Sequence, residues 1–171
     1  MNKIIFIISF TFLLGCNSDQ ALTTDFFDDE TYMSGNNVFM TIYAQFDECG
    51  EWGGHEETIE ILHKMDSGFY FNYQKSSVDC DSMVNIWHLG AFYPGPYKKL
   101  EIEKQSKLSV FGKAAINQFT HDLIDEKFKI TFPGHAGILL SLTTSDSSLI
   151  INTYGGDAKS FIELKSKLGV E

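Results

Sequence analysis

The chain has 171 residues and carries 23 carboxylates against 13 lysines and no arginine, for a net charge of −10. That acidity repels phosphate backbones and excludes a nucleic-acid binder; without guanidinium forks, dedicated phosphate or carboxylate sites lack their usual donor. Apolar residues make up 43% and aromatics 14%, too many for a disordered chain, and the length suits one domain with a real core.

Met1-Asn2-Lys3 supplies one positive charge, and residues 4 to 14 are nearly all apolar. This is the order of a secretory signal. A bilayer-spanning helix needs about 20 apolar residues, and Asn17-Ser18-Asp19-Gln20 ends the run too early. Leu13-Leu14-Gly15-Cys16 resembles the lipobox of bacterial lipoproteins. The resemblance covers only the first sixteen residues. It implies that residues 1–15 are a signal peptide and that Cys16 is lipidated and becomes the N-terminus. Two or more acyl chains anchor stably where one does not. Asn17, rather than Asp, follows the cysteine; by the sorting of enterobacterial lipoproteins this implies the outer membrane rather than the inner, with the leaflet left open. A cleaved signal with Cys16 incidental is the alternative. Removal of residues 1–15 takes away only Lys3, leaving 12 lysines against 23 carboxylates, a net charge near −11.

Residues 16–37 read as an acidic tether, with Asp28-Asp29-Glu30 and Ser34-Gly35-Asn36-Asn37. Phe26, Phe27 and Tyr32 interrupt it and are the residues able to pack on the domain. Residues 38–171 then form a single α+β domain. Residues 38 to 46 are rich in β-formers and predict a first strand. In residues 58 to 65, Ile59, Ile61 and Met65 alternate against Glu60 and Lys64. The alternation predicts a strand, although the spacing of Glu60 and Lys64 also suits a helix. Asp66-Ser67-Gly68 turns the chain into a strand over 69–74, closing a hairpin. Residues 75 to 99 read as mostly irregular, apart from a possible strand at 83–89 and a Pro94-Gly95-Pro96 turn.

Phe111, Ala115, Phe119 and Leu123 recur every four residues and predict a helix over 108–126, with Ser109 as its cap. The period then becomes two: Phe128, Ile130 and Phe132 against Lys127, Lys129 and Thr131 predict a strand. Pro133-Gly134 turns the chain. Residues 138–144 and 149–154 form a second hairpin around Ser145-Asp146-Ser147-Ser148, and Asp157 caps a last helix over 158–168. The fold class is therefore α+β: an antiparallel sheet of about six strands with two helices on one face. At an offset of 80, Gly54-His55 matches Gly134-His135, Asp66-Ser67 matches Asp146-Ser147, and Leu62 and Asn72 match Leu142 and Asn152. Either a strand–hairpin–helix unit is duplicated, or two hairpins share turn chemistry.

With Cys16 lipidated, Cys49 and Cys80 remain. They lack Cys-x-x-Cys spacing, and the carboxylates beside each make poor nucleophiles of them. An even count in an exported domain reads as a disulfide, worth about 3–4 kcal/mol on the chain-entropy model.

Three constellations could carry function. His55, His63 and His135, with Glu57, are the residues able to hold a transition metal, but their spacing matches no ligand signature. Metal binding, or a metal-dependent hydrolase, is the alternative reading. No Gly-x-Ser-x-Gly elbow or phosphate loop occurs, and Glu56 and Glu57 point to opposite faces of a strand, so they cannot flank one bond. No catalytic residue or cofactor is assigned. The third is aromatic: Trp52, Trp87, Tyr93 and Tyr97 on loops, with His55 beside them, form a candidate ligand surface. Core packing is the competing use of those rings. The expectation is a non-catalytic binding or inhibitory module of the immunity or accessory type. A protein partner, if charged, would be basic.

Overall fold

From Met40 to Ala44 every second residue of the first strand is buried, and the same alternation recurs in the strands beside it. The computed structural model describes residues 27, 37–50, 53–65, 67–82, 98–129 and 137–170. Its strands are β1 (Asn37–Gln45), β2 (Glu56–Lys64), β3 (Gly68–Val78), β4 (Lys98–Lys107), β5 (Ile138–Thr144) and β6 (Ile150–Gly156). Helix α1 is Val110–Lys129 and helix α2 is Lys159–Leu168. All strand pairs are antiparallel, in the order β4-β3-β2-β1-β5-β6. The chain is α+β, with one six-stranded open sheet.

The register sets one apolar layer. Ile42 lies between Ile59 and Leu142, Ile59 faces Tyr73, and Leu142 faces Ile151. These residues are buried in one cluster with Ile116, Phe119 and Leu123 of α1 and Phe161 and Leu164 of α2. Both helices therefore cover the same face. The intervening residues, among them Thr41, Thr58, Asn72 and Ser141, share the opposite face. A bulge between Val38 and Met40 breaks the alternation and turns Phe39 toward Phe27 and Phe69, at ring distances of 5.9 and 5.7 Å. Phe27, in the segment read as a tether, is itself buried and meets Phe69 edge-on at 5.0 Å.

The β2 segment is a strand and not a helix. It ends at Lys64, so Met65 sits in the turn and is exposed rather than on the apolar face. Strand β3 continues to Val78, past the expected end at Gln74. Strand β4 was not foreseen. Six of its ten residues are ionisable and nearly all are exposed, so it shows no apolar alternation; its place at the sheet edge explains this.

Ser109 caps α1: its Oγ accepts the Gly112 N–H at 3.0 Å. The buried stripe is Gly112, Ala115, Ile116, Phe119, Thr120 and Leu123. Phe111, expected on that stripe, is exposed. Gly112 takes its place because a Cβ there would lie 2.7 Å from Leu108 Cδ1 and 3.2 Å from Leu168 Cδ2, where α1 meets the end of α2. The strand expected over 127–132 is corrected for residues 127–129. These form the last turn of α1, with Phe128 in solvent and Lys127 and Lys129 placed where cations complement the helix dipole. Residues 130–136 lie outside the described residues, as does the possible strand at 83–89. The second hairpin is thus preceded by a helix through Lys129, where the first is preceded by β1.

Cys49 and Cys80 are disulfide-bonded, with Cα atoms 5.3 Å apart. The bridge ties the β1–β2 connection to the end of β3. Among the described residues, no helix is long and apolar enough to cross a membrane.

Candidate functional site

The β1–β2 connection folds tightly, with Cys49 N–H donating to Gly53 O at 2.8 Å and Phe46 N–H to His55 O at 3.0 Å. Gly54 lets it close. A Cβ on Gly54 would lie 1.9 Å from Glu48 Oε2 and 2.7 Å from Phe46 O, so only glycine leaves room for the Glu48 carboxylate to fold back. That carboxylate accepts the His55 N–H at 3.1 Å and meets the ring at Nδ1. Phe46 stacks on the imidazole, with centroids 4.0 Å apart and planes 10° from parallel.

His55 and Glu57 are two apart and share a face, as the strand period requires. His55 Nε2 lies 3.0 Å from Glu57 Oε1. Glu57 sits among the apolar positions of β2, only 1% exposed. The Tyr73 hydroxyl donates to its Oε2 at 2.7 Å. The Lys165 ammonium, from the last turn of α2, reaches Oε1 at 2.9 Å and Oε2 at 2.8 Å. Burial pushes the Glu57 carboxyl up, but Lys165, Tyr73 and His55 together outweigh it and hold the group below the usual glutamate range. Burial, and then the Glu57 carboxylate, push the Tyr73 hydroxyl well above the tyrosine range. Burial also raises Glu48, yet backbone N–H groups and the His55 ring leave it below its ordinary value.

A parallel set lies on the other face one residue earlier. The Tyr43 hydroxyl donates to Glu56 Oε1 at 2.6 Å, and the Lys98 ammonium pairs with the same oxygen. Burial first, then Glu56, raise the Tyr43 hydroxyl far above its usual range. Here Lys98 and Glu56 are each about a quarter exposed.

Chemically, the buried set is closed. Both Glu57 oxygens are engaged, each His55 ring nitrogen faces a carboxylate, and the Tyr73 hydroxyl is committed as a donor with its ionisation suppressed. The cluster fastens α2 to the end of the sheet.

The sequence-predicted residues are not brought together. His55 precedes β2, and His63 stands near its other end, about 25 Å away at strand rise. His63 packs on Phe69 at 5.0 Å, and its Nδ1 is buried without a hydrogen-bond partner. No single ion can be ligated by both histidines. Among the described residues, no group of three or more His, Cys, Asp or Glu is arranged to hold a metal. His135, Trp52, Trp87, Tyr93, Tyr97 and Cys16, the expected lipidation site, lie outside the described residues. Of the candidate ligand surface, His55 alone is described, and it is turned inward. Sequence reasoning missed Glu48, Tyr73 and Lys165. One signal was present: Glu57 has the parity of Ile59 and Ile61, and a charge at a core position demands a partner.

Comparison with family models, curated proteins and solved structures finds no match for this chain.

Proposed function

We infer that this is a lipid-anchored lipoprotein of the bacterial cell envelope, held at the outer membrane through Cys16. Its domain acts as a non-catalytic binding or inhibitory module. The observation that carries the anchor is Leu13-Leu14-Gly15-Cys16 after a short apolar run. The closed polar set supports a binding role over catalysis: where Glu57, Tyr73, His55 and Lys165 satisfy one another, they build structure. The Cys49–Cys80 disulfide suits an oxidising compartment. A protein partner of this acidic chain carries a basic surface, because charge complementarity governs encounter and selects partners. The match of the two hairpins at an offset of 80 supports reading them as copies of one ancestral hairpin.

Cys16→Ser tests the anchor directly. In the producing cell the wild-type chain fractionates with the membrane and labels with a fatty-acid probe, and the variant does neither. A wild-type chain that never labels would refute lipidation. Affinity capture from the envelope, eluted by salt, tests the binding role: a basic protein recovered in stoichiometric amount supports it, and no recovery across several conditions counts against it.

A further inference from the structure

The two edges of the sheet are protected very differently. Strand β4 carries Lys98, Lys99, Glu101, Glu103, Lys104 and Lys107, the charge pattern that blocks edge-to-edge pairing. Strand β6, Ile150-Ile151-Asn152-Thr153-Tyr154-Gly155-Gly156, contains no Lys, His, Asp or Glu, and no strand among the described residues pairs with its outer side. Thr144 N–H donates to Leu149 O, so Leu149, Ile151 and Thr153 direct their amides toward β5. Ile150, Asn152 and Tyr154 therefore turn their N–H and C=O groups outward. The Lys127 ammonium, donating to Asn152 O at 2.8 Å, agrees with this. Ile150 is 57% and Tyr154 46% exposed, on either side of Asn152.

We propose that β6 pairs antiparallel with β6 of a second copy of this chain, about a twofold axis through Asn152, to give one continuous twelve-stranded sheet. The sequence of the edge is self-complementary in that register. Asn152 faces Asn152 of the second copy, and each Ile150 faces a Tyr154, so the two exposed apolar side chains cover each other while every outward N–H finds a C=O. A shift of two residues sets Ile150 against Asn152 and loses both apolar pairs. Two acidic chains repel each other, but no carboxylate of β6 stands at the contact, and salt strengthens the association by screening the rest. Lys127 restrains it: it occupies the central outward carbonyl, and pairing brings two such lysines near the axis. The inference does not depend on the lipid anchor.

The test uses the chain with Cys16→Ser, the native disulfide intact, in sedimentation runs up to about 1 mM, where even weak association registers. The expected result is a mass rising toward twice the monomer with concentration, more steeply at high salt. Lys127→Met should tighten the dimer roughly fivefold, as removal of a facing like charge does. In the proposed register Asn152→Cys places two thiols on a hydrogen-bonded pair about 5.5 Å apart at Cα, within disulfide range. Under mild oxidation it should cross-link, while Ser147→Cys, in the hairpin turn, should not. A monomer at every concentration, or cross-linking of Asn152→Cys no faster than of Ser147→Cys, would overturn the proposal.

Discussion

Consecutive residues, Glu56 and Glu57, carry the same chemistry on opposite faces of one sheet. Each accepts a tyrosine hydroxyl and a lysine ammonium, Tyr43 and Lys98 on the open face, Tyr73 and Lys165 on the helix face. They differ in surroundings. The Glu56 side chain is 27% exposed and water shares the work; Glu57 is 1% exposed and depends on its protein partners for all of its solvation. Matching tyrosine and lysine partners, joined at Glu57 by His55, therefore have unequal consequences. In the open set a lost partner is replaced by solvent, whereas in the closed set it leaves an uncompensated charge under α2.

The sharpest way to break this contrast is Glu57→Gln. Removal of the charge strands Lys165 against the core, and the expected loss is about 3 kcal/mol by urea unfolding, the scale for breaking a buried pair from one side. The same substitution should change the acid limb of stability. The folded-state pKa of Glu57 is lowered, so its contribution is whole above the ordinary glutamate range and is lost as pH falls through and below it. Glu57→Gln should flatten that part of the curve, and an unchanged acid limb would show that the charge does not govern it. Gly54→Ala comes next. The added methyl meets Glu48 and the Phe46 carbonyl, so the Glu48 clasp on His55 must open, at about 2 kcal/mol, typical of overpacking. A stability within error of wild type would mean that the connection relaxes freely. Glu56→Gln should do least, under about 1 kcal/mol, as for exposed pairs. If it cost as much as Glu57→Gln in the same urea series, burial would not be what separates the two sets.

Much of this fold was legible because local pattern and tertiary environment agreed. Alternation in β1, β2 and β5, the turn into β3 at Ser67-Gly68, and the Ser109 cap all state locally what the fold then uses. Failures came where one signal overrode another. Phe128 has the parity of a strand residue, yet the hydrogen-bond ladder of α1 runs on through Lys129 and leaves its ring in water. Strand β4 has no apolar face to betray it, since an edge gains its bonds from β3 and its solubility from charge. The closed site was half legible. Glu57 and His55 stood out at a shared parity, but Lys165 lies 108 residues away, and no local period links a strand to the last turn of the last helix.

The burial of Phe27 bears on the reach of the anchor proposed at Cys16. With the chain anchored at Cys16, as proposed, a free run to Asn37 would reach about 70 Å at full extension, whereas the burial of Phe27 in the core would shorten that run to eleven residues and about 40 Å. Under that proposed anchor the volume swept above the bilayer would fall about fivefold, and the local concentration of the domain would rise for any partner held at the same membrane.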